Sequence, residues 1–141
     1  MRPLLLLLCL GLTACDAASP PKVDIEPPAT VLPASVKELS PAEAAQWLTS
    51  HSDALILDMR MPEELTREGR IEGSKNYDFL QSKTLEQLGT LDRQKPALIY
   101  CALGGRAAKV SVQMHEMGFA EIIVLQGGMN AWLKEGRPVI K

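Results

Sequence analysis

The sequence predicts an α/β domain, with a parallel sheet flanked by helices on both faces, and two observations carry that prediction. Short apolar runs at residues 54–57, 98–100 and 122–125 stop at polar or turn-forming residues, as buried parallel strands do. Between them lie stretches of helical apolar spacing, of which Ala107, Val110, Met114 and Met117 form the clearest stripe. Strands and helices alternating through short connections build a parallel sheet covered on both sides. A chain of 141 residues that is 46% hydrophobic can bury one substantial core of this kind.

The elements follow in order. Val36 to Leu39 reads as a short edge strand, and Ser40-Pro41-Ala42-Glu43 is a capping box with proline at the first helical position. The helix it opens runs to about Leu48, with Ala44, Trp47 and Leu48 on one apolar face. The run 54–57 is the second strand and delivers Asp58 and Arg60 to the carboxyl edge of the sheet, where they brace loops as rim support. Residues 61–68 carry a short helical turn, and Arg67, Arg70 and Lys75 make the following loop cationic. Residues 76–79 form a third short strand or its exit, and Leu85, Leu88 and Leu91 mark a helix that Pro96 ends. After the stripe that closes at Gly118, a C-cap, come the strand 122–125, a Gly127-Gly128 turn and a closing helix at 130–135.

The chemistry concentrates in Leu98-Ile99-Tyr100-Cys101-Ala102-Leu103-Gly104-Gly105-Arg106. A cysteine at a strand's carboxyl end, before a glycine-rich loop that feeds a helix, faces several backbone N–H groups and the positive end of the helix dipole. That setting favours the thiolate and makes Cys101 a nucleophile. Ala102, Leu103, Gly104 and Gly105 form the loop, in which the glycines permit positive φ and close approach of backbone to a bound group. Arg106 either fixes the loop or holds an anionic substrate. His51 precedes the second strand, at the opposite edge of the sheet. His115 lies nine residues beyond Arg106, roughly 13 Å along a helix. A Cys-His pair is therefore not expected, and activation falls to loop amides, helix dipole and nearby cations. No His, Cys or carboxylate cluster has metal-ligand spacing, so neither a metal nor a cofactor is expected.

The loop resembles the active-site loop of the rhodanese family of sulfurtransferases, Cys-x-x-Gly-x-Arg, matched by Cys101, Gly104 and Arg106. Leu57-Asp58-Met59-Arg60 with Pro62-Glu63-Glu64 resembles the family's Asp-Val-Arg and Pro-x-Glu stretch, and Gly69-Arg70-Ile71-Glu72-Gly73-Ser74 its Gly-His-Ile-x-Gly-Ala. Residues 125–132 and 136–139 resemble its closing Gly-Gly and Trp signature. Arg70 replaces the usual histidine, and Ala107 stands where a serine often follows the arginine. The resemblance implies a rhodanese-like domain over residues 36–141. It implies a two-step transfer in which Cys101 takes sulfane sulfur from thiosulfate or a persulfide and passes it to cyanide or a thiol. Ala102 and Leu103 bring no charge, which predicts weaker thiosulfate binding than in relatives with basic loop residues.

Residues 1–12 start with Arg2 and continue as a leucine-rich run, too short for the ~20 residues of a membrane span and suited to a signal peptide. Leu12-Thr13-Ala14-Cys15 resembles the lipobox of bacterial lipoproteins. That resemblance implies cleavage of residues 1–14, lipidation of Cys15 and a membrane partner through the lipid, with the domain facing the periplasm. Asp16 resembles an inner-membrane retention signal, and the choice of inner or outer membrane stays open. Residues 15–35, with Pro20-Pro21, Pro27-Pro28 and Pro33, read as an extended tether. Cys101 would then be the single free thiol of the mature chain. Net charge −2, scattered basic residues and few aromatics argue against nucleic acid. Two other readings compete: a Cys-loop-Arg phosphatase, whose loop has one residue more, and a tethered module that carries persulfide or binds a partner without turnover.

Overall fold

A computed structural model describes residues 32–141; the expected signal peptide, Cys15 and the prolines up to Pro28 lie outside the described residues. The elements are β1 (Val36–Leu39), α1 (Pro41–Ser50), β2 (Leu55–Asp58), α2 (Pro62–Glu68), β3 (Lys75–Asn76), α3 (Thr84–Gly89), β4 (Ala97–Tyr100), α4 (Gly105–Glu116), β5 (Ile122–Leu125) and α5 (Gly128–Lys134). The five strands form one sheet in the order β1-β5-β4-β2-β3, and every pairing between them is parallel.

Alternation along the strands sorts the core into two layers. Ala97, Ile99, Ile122 and Val124 pack with Leu88 of α3 and with Ala107, Val110 and Met114 of α4. Leu98, Tyr100, Ile123 and Leu125 pack on the other face with Ala44 of α1 and with Met129 and Trp132 of α5. Strands buried on both faces need apolar side chains at successive positions, which is why β4 and β5 are continuous apolar runs rather than alternating ones. The stripe on α4 is core, as its period predicts. α2 contributes no residue to either layer.

Several boundaries differ from those read in the sequence. β2 runs one residue later than 54–57, and Asp58 is thus its last residue. α1 continues to Ser50, past Leu48. α3 ends at Gly89, so Leu91 packs from the connection beyond it. α5 begins at Gly128 rather than 130, because Gly127 takes a left-handed conformation (φ 69°) that turns the chain straight into a helix. The chain also joins the domain before Val36: Leu32 packs against the α3/α4 layer, Ser35 accepts the Ile122 N–H on its carbonyl, and its hydroxyl pairs with His115 Nδ1 at 2.7 Å. A composition dominated by prolines hides that short docking segment.

Candidate active site

β4 ends at Tyr100, so Cys101 stands at the carboxyl edge of the sheet, immediately before the loop that leads into α4. The residue is buried, and the Gly104 N–H donates to its Sγ at 3.1 Å. Gly104 reaches that position with φ 106°, a conformation L side chains rarely adopt. The first-turn N–H groups of α4 lie next in the chain and, as in any helix, have no intrahelical acceptor.

The loop's carbonyls are held from the other layer. Met129 N–H donates to the Cys101 carbonyl at 2.8 Å, and Asn130 N–H to the Ala102 carbonyl at 3.1 Å. A planar trans peptide points its C=O and N–H in opposite directions, so the Ala102 and Leu103 N–H groups are turned away from α5. This contact requires glycine at 128: its φ is 59°, and a Cβ there would run into the Cys101 carbonyl oxygen and lie 2.7 Å from the Ala102 carbonyl.

Arg106, the second residue of α4, makes a bidentate ion pair with Glu64 of α2, Nη1 to Oε2 and Nη2 to Oε1, both 3.0 Å. Glu64 Oε2 also accepts the Met61 N–H at 2.9 Å. The Arg106 hydrogen bond holds the Glu64 carboxyl below the usual carboxylate range against the opposing effect of burial. Glu64 in turn raises Arg106, with the charge of Cys101 adding to the effect. The sequence left open whether Arg106 shapes the loop or binds substrate; here both ends of its guanidinium engage Glu64. Ala102 is half-buried, Gly105 exposed, and Leu103 is 71% exposed.

Asp58 and Arg60 lie beside this loop's origin but bond elsewhere. Both are fully buried. Arg60 Nη2 donates to Asp58 Oδ2 at 2.8 Å and to the Gly69 carbonyl at 2.7 Å, and its Nη1 to Glu68 Oε2 at 3.1 Å. Burial opposes the Arg60 charge, but the bonds and charge of Asp58 outweigh it and raise the group further. None of these bonds involves residues 101–106. Asn76 Nδ2 closes the rim by donating to the Asp58 and Arg60 carbonyls. Neither histidine touches the thiol: His51 Nδ1 pairs with the Trp47 carbonyl, and His115 with Ser35. Among the described residues no group of three His, Cys, Asp or Glu could hold a metal, and no helix is long and apolar enough to cross a membrane.

Residues 40–135 match the rhodanese-like domain family. The chain belongs to that family. Its fold agrees with that of the polysulfide-sulfur transferase homodimer of Wolinella succinogenes, with a TM-score of 0.65 and 32% identity over 76% of this chain and 80% of that one. A provisionally named sulfurtransferase of Bacillus subtilis is 30% identical over 103 residues, covering 73% of this chain and 96% of its own length. A protein of Mycobacterium tuberculosis, provisionally named an adenylyltransferase/sulfurtransferase, is 30% identical over 71% of this chain. The present chain spans only 25% of that relative.

Two predictions follow from the geometry. Gly128→Ala should lower stability by more than about 3 kcal/mol through strain and overlap with the loop, whereas Gly136→Ala, at φ 67° but in open space, should cost only about 1 to 2 kcal/mol. Urea midpoints of the two variants test this. The Glu64 carboxyl is depressed by folding, so its contribution is complete above the ordinary carboxylate range of roughly pH 4 and is lost as pH falls through the lower folded value. The stability advantage of the wild type over Glu64→Gln should therefore be constant from pH 7 to about 5 and shrink below about 4.

Proposed function

We propose that the chain is a sulfurtransferase that moves sulfane sulfur through a persulfide on Cys101. The observation that carries this reading is the Gly104 N–H held on Cys101 Sγ at 3.1 Å, in a loop that opens α4. In the first step the Cys101 thiolate attacks the outer sulfur of a donor. An Sγ–S bond forms, the donor's S–S bond breaks, and the leaving group departs with the electron pair. The persulfide so formed keeps a negative charge beside the Gly104 N–H and the first-turn amides of α4, which favour anions. In the second step a thiolate or cyanide attacks the outer sulfur and the Cys101 thiolate returns. Arg106, neutralised by Glu64, acts here by holding the start of α4 against α2. Family membership and the sulfur-transfer names of the relatives support the same chemistry.

Intact mass of the purified chain tests the reading. Treatment with a sulfane-sulfur donor should add one sulfur, about 32 Da, that cyanide removes as thiocyanate and that Cys101→Ser does not acquire. A stable adduct that cyanide cannot discharge would favour the carrier reading instead.

We also propose that the domain works at a bacterial membrane surface facing the periplasm, tethered through lipid on Cys15. The lipobox-like Leu12-Thr13-Ala14-Cys15 supports this. Radiolabelled palmitate should enter the chain in growing cells and fail to enter Cys15→Ser.

A further inference from the structure

The loop that cradles the thiol is electrically compensated and apolar, and this bears on what it accepts. Within residues 101–106 the sole cation is Arg106, and both of its terminal nitrogens lie on the Glu64 carboxylate at 3.0 Å. The Glu64 side chain is 10% exposed and that of Arg106 26%, so the two charges largely offset one another at short range. What remains to meet a donor is a set of backbone N–H dipoles and the part of the Arg106 charge that reaches Cys101, enough for one developing negative charge at sulfur. Nothing in the loop is left over for a second charge. The crest of the loop is Leu103, the most exposed large apolar side chain among the described residues at 71%. Such a side chain in a loop two residues past the nucleophile gains by covering an apolar group of a bound molecule.

We propose that the donor is a sulfane-sulfur compound with no more than one negative charge and an apolar substituent, and that Leu103 is the residue that selects it. This rests on the sulfur-transfer reading above. A thiosulfonate shows the balance: the Cys101 thiolate attacks the terminal sulfur of R–SO2–S⁻, an Sγ–S bond forms, and the S–S bond breaks with its electron pair leaving on the sulfinate R–SO2⁻. The enzyme is left as the persulfide anion. Two negative charges enter and two leave. An organic persulfide reacts in the same sense, releasing a thiolate.

Three probes separate charge from apolar contact. Thiosulfate is a dianion, methanethiosulfonate a monoanion with a small group, and benzenethiosulfonate a monoanion with an aromatic ring. With cyanide as acceptor, KM for the full chain should fall in that order. Covering about 50 Å² of the ring with Leu103 corresponds to about eightfold in affinity, so Leu103→Ala should raise KM for benzenethiosulfonate by about that factor and bring it near that for methanethiosulfonate. Leu103→Lys, which places a cation at the crest, should lower KM for thiosulfate by about tenfold and raise it for benzenethiosulfonate. The donors differ in intrinsic reactivity, so the comparison between each variant and the wild type carries the test. An exposed position keeps both variants folded, which circular dichroism checks.

If Leu103→Ala leaves KM for benzenethiosulfonate unchanged, or Leu103→Lys fails to lower it for thiosulfate, the inference is wrong while sulfur transfer stands. If no donor places sulfur on Cys101, the sulfur-transfer reading falls and this inference with it.

Discussion

Two backbone hydrogen bonds hold the cradle: the Met129 and Asn130 N–H groups on the carbonyls of Cys101 and Ala102. The loop belongs by sequence to β4 and α4, yet its peptide planes are oriented by α5, which is packed into the opposite layer through Met129 and Trp132. Trp132 is fixed in turn by its indole N–H on the Pro138 carbonyl at 3.0 Å. Because carbonyl and amide of one peptide point apart, anchoring the carbonyls decides which way the loop amides face. The sheet's two faces therefore meet at Cys101, and the absence of a side chain at Gly128 lets them meet.

Charge organises what apolar packing does not. α2 supplies nothing to either core layer, but it carries Glu64 and Glu68 one helical turn apart. The first takes Arg106 from the start of α4, and the second takes Arg60 from the end of β2. One short helix is thus clamped between two guanidinium groups, one just past the end of β2 and the other in the first turn of α4. Arg60, fully buried and stacked 5.6 Å over the Tyr100 ring, tolerates its position because Asp58, Glu68 and the Gly69 carbonyl together satisfy it. Tyr100 stays protonated in that company: burial and the Asp58 charge push its hydroxyl well above the ordinary range while it donates to Ser74.

Much of this was legible in the residues, for reasons that differ by element. β5 and the α4 stripe have complete apolar periods, and Ser40 with Glu43 forms the capping box its spacing announces. The position of Cys101 followed from the strand before it and the glycines after it. Glu64 did not stand out as a partner of Arg106, since a carboxylate forty-two residues away carries no local sign of what it will meet. Its place in the Pro62-Glu63-Glu64 stretch was the one signal at hand. Asn76 reads as strand and lies in β3, but nothing local announces that its side chain closes the rim. The role of α5 was equally invisible: glycine pairs announce turns, but not which carbonyls the following amides will find.

The strand order has a consequence for how the domain assembles. β1 comes first in the described chain, yet its partner is β5, the last strand, and the two match residue for residue from Val36 with Ile122 to Leu39 with Leu125. Until β5 exists, β1 has no neighbour, and closing so long a loop is entropically unrewarded early in folding. Nucleation is therefore expected at β2, β4 and β5 with α4, with β1 docking late. The same strand, held on one side only, is where native-state opening should begin, which places the junction with the preceding segment among the earliest amides to exchange with solvent deuterium.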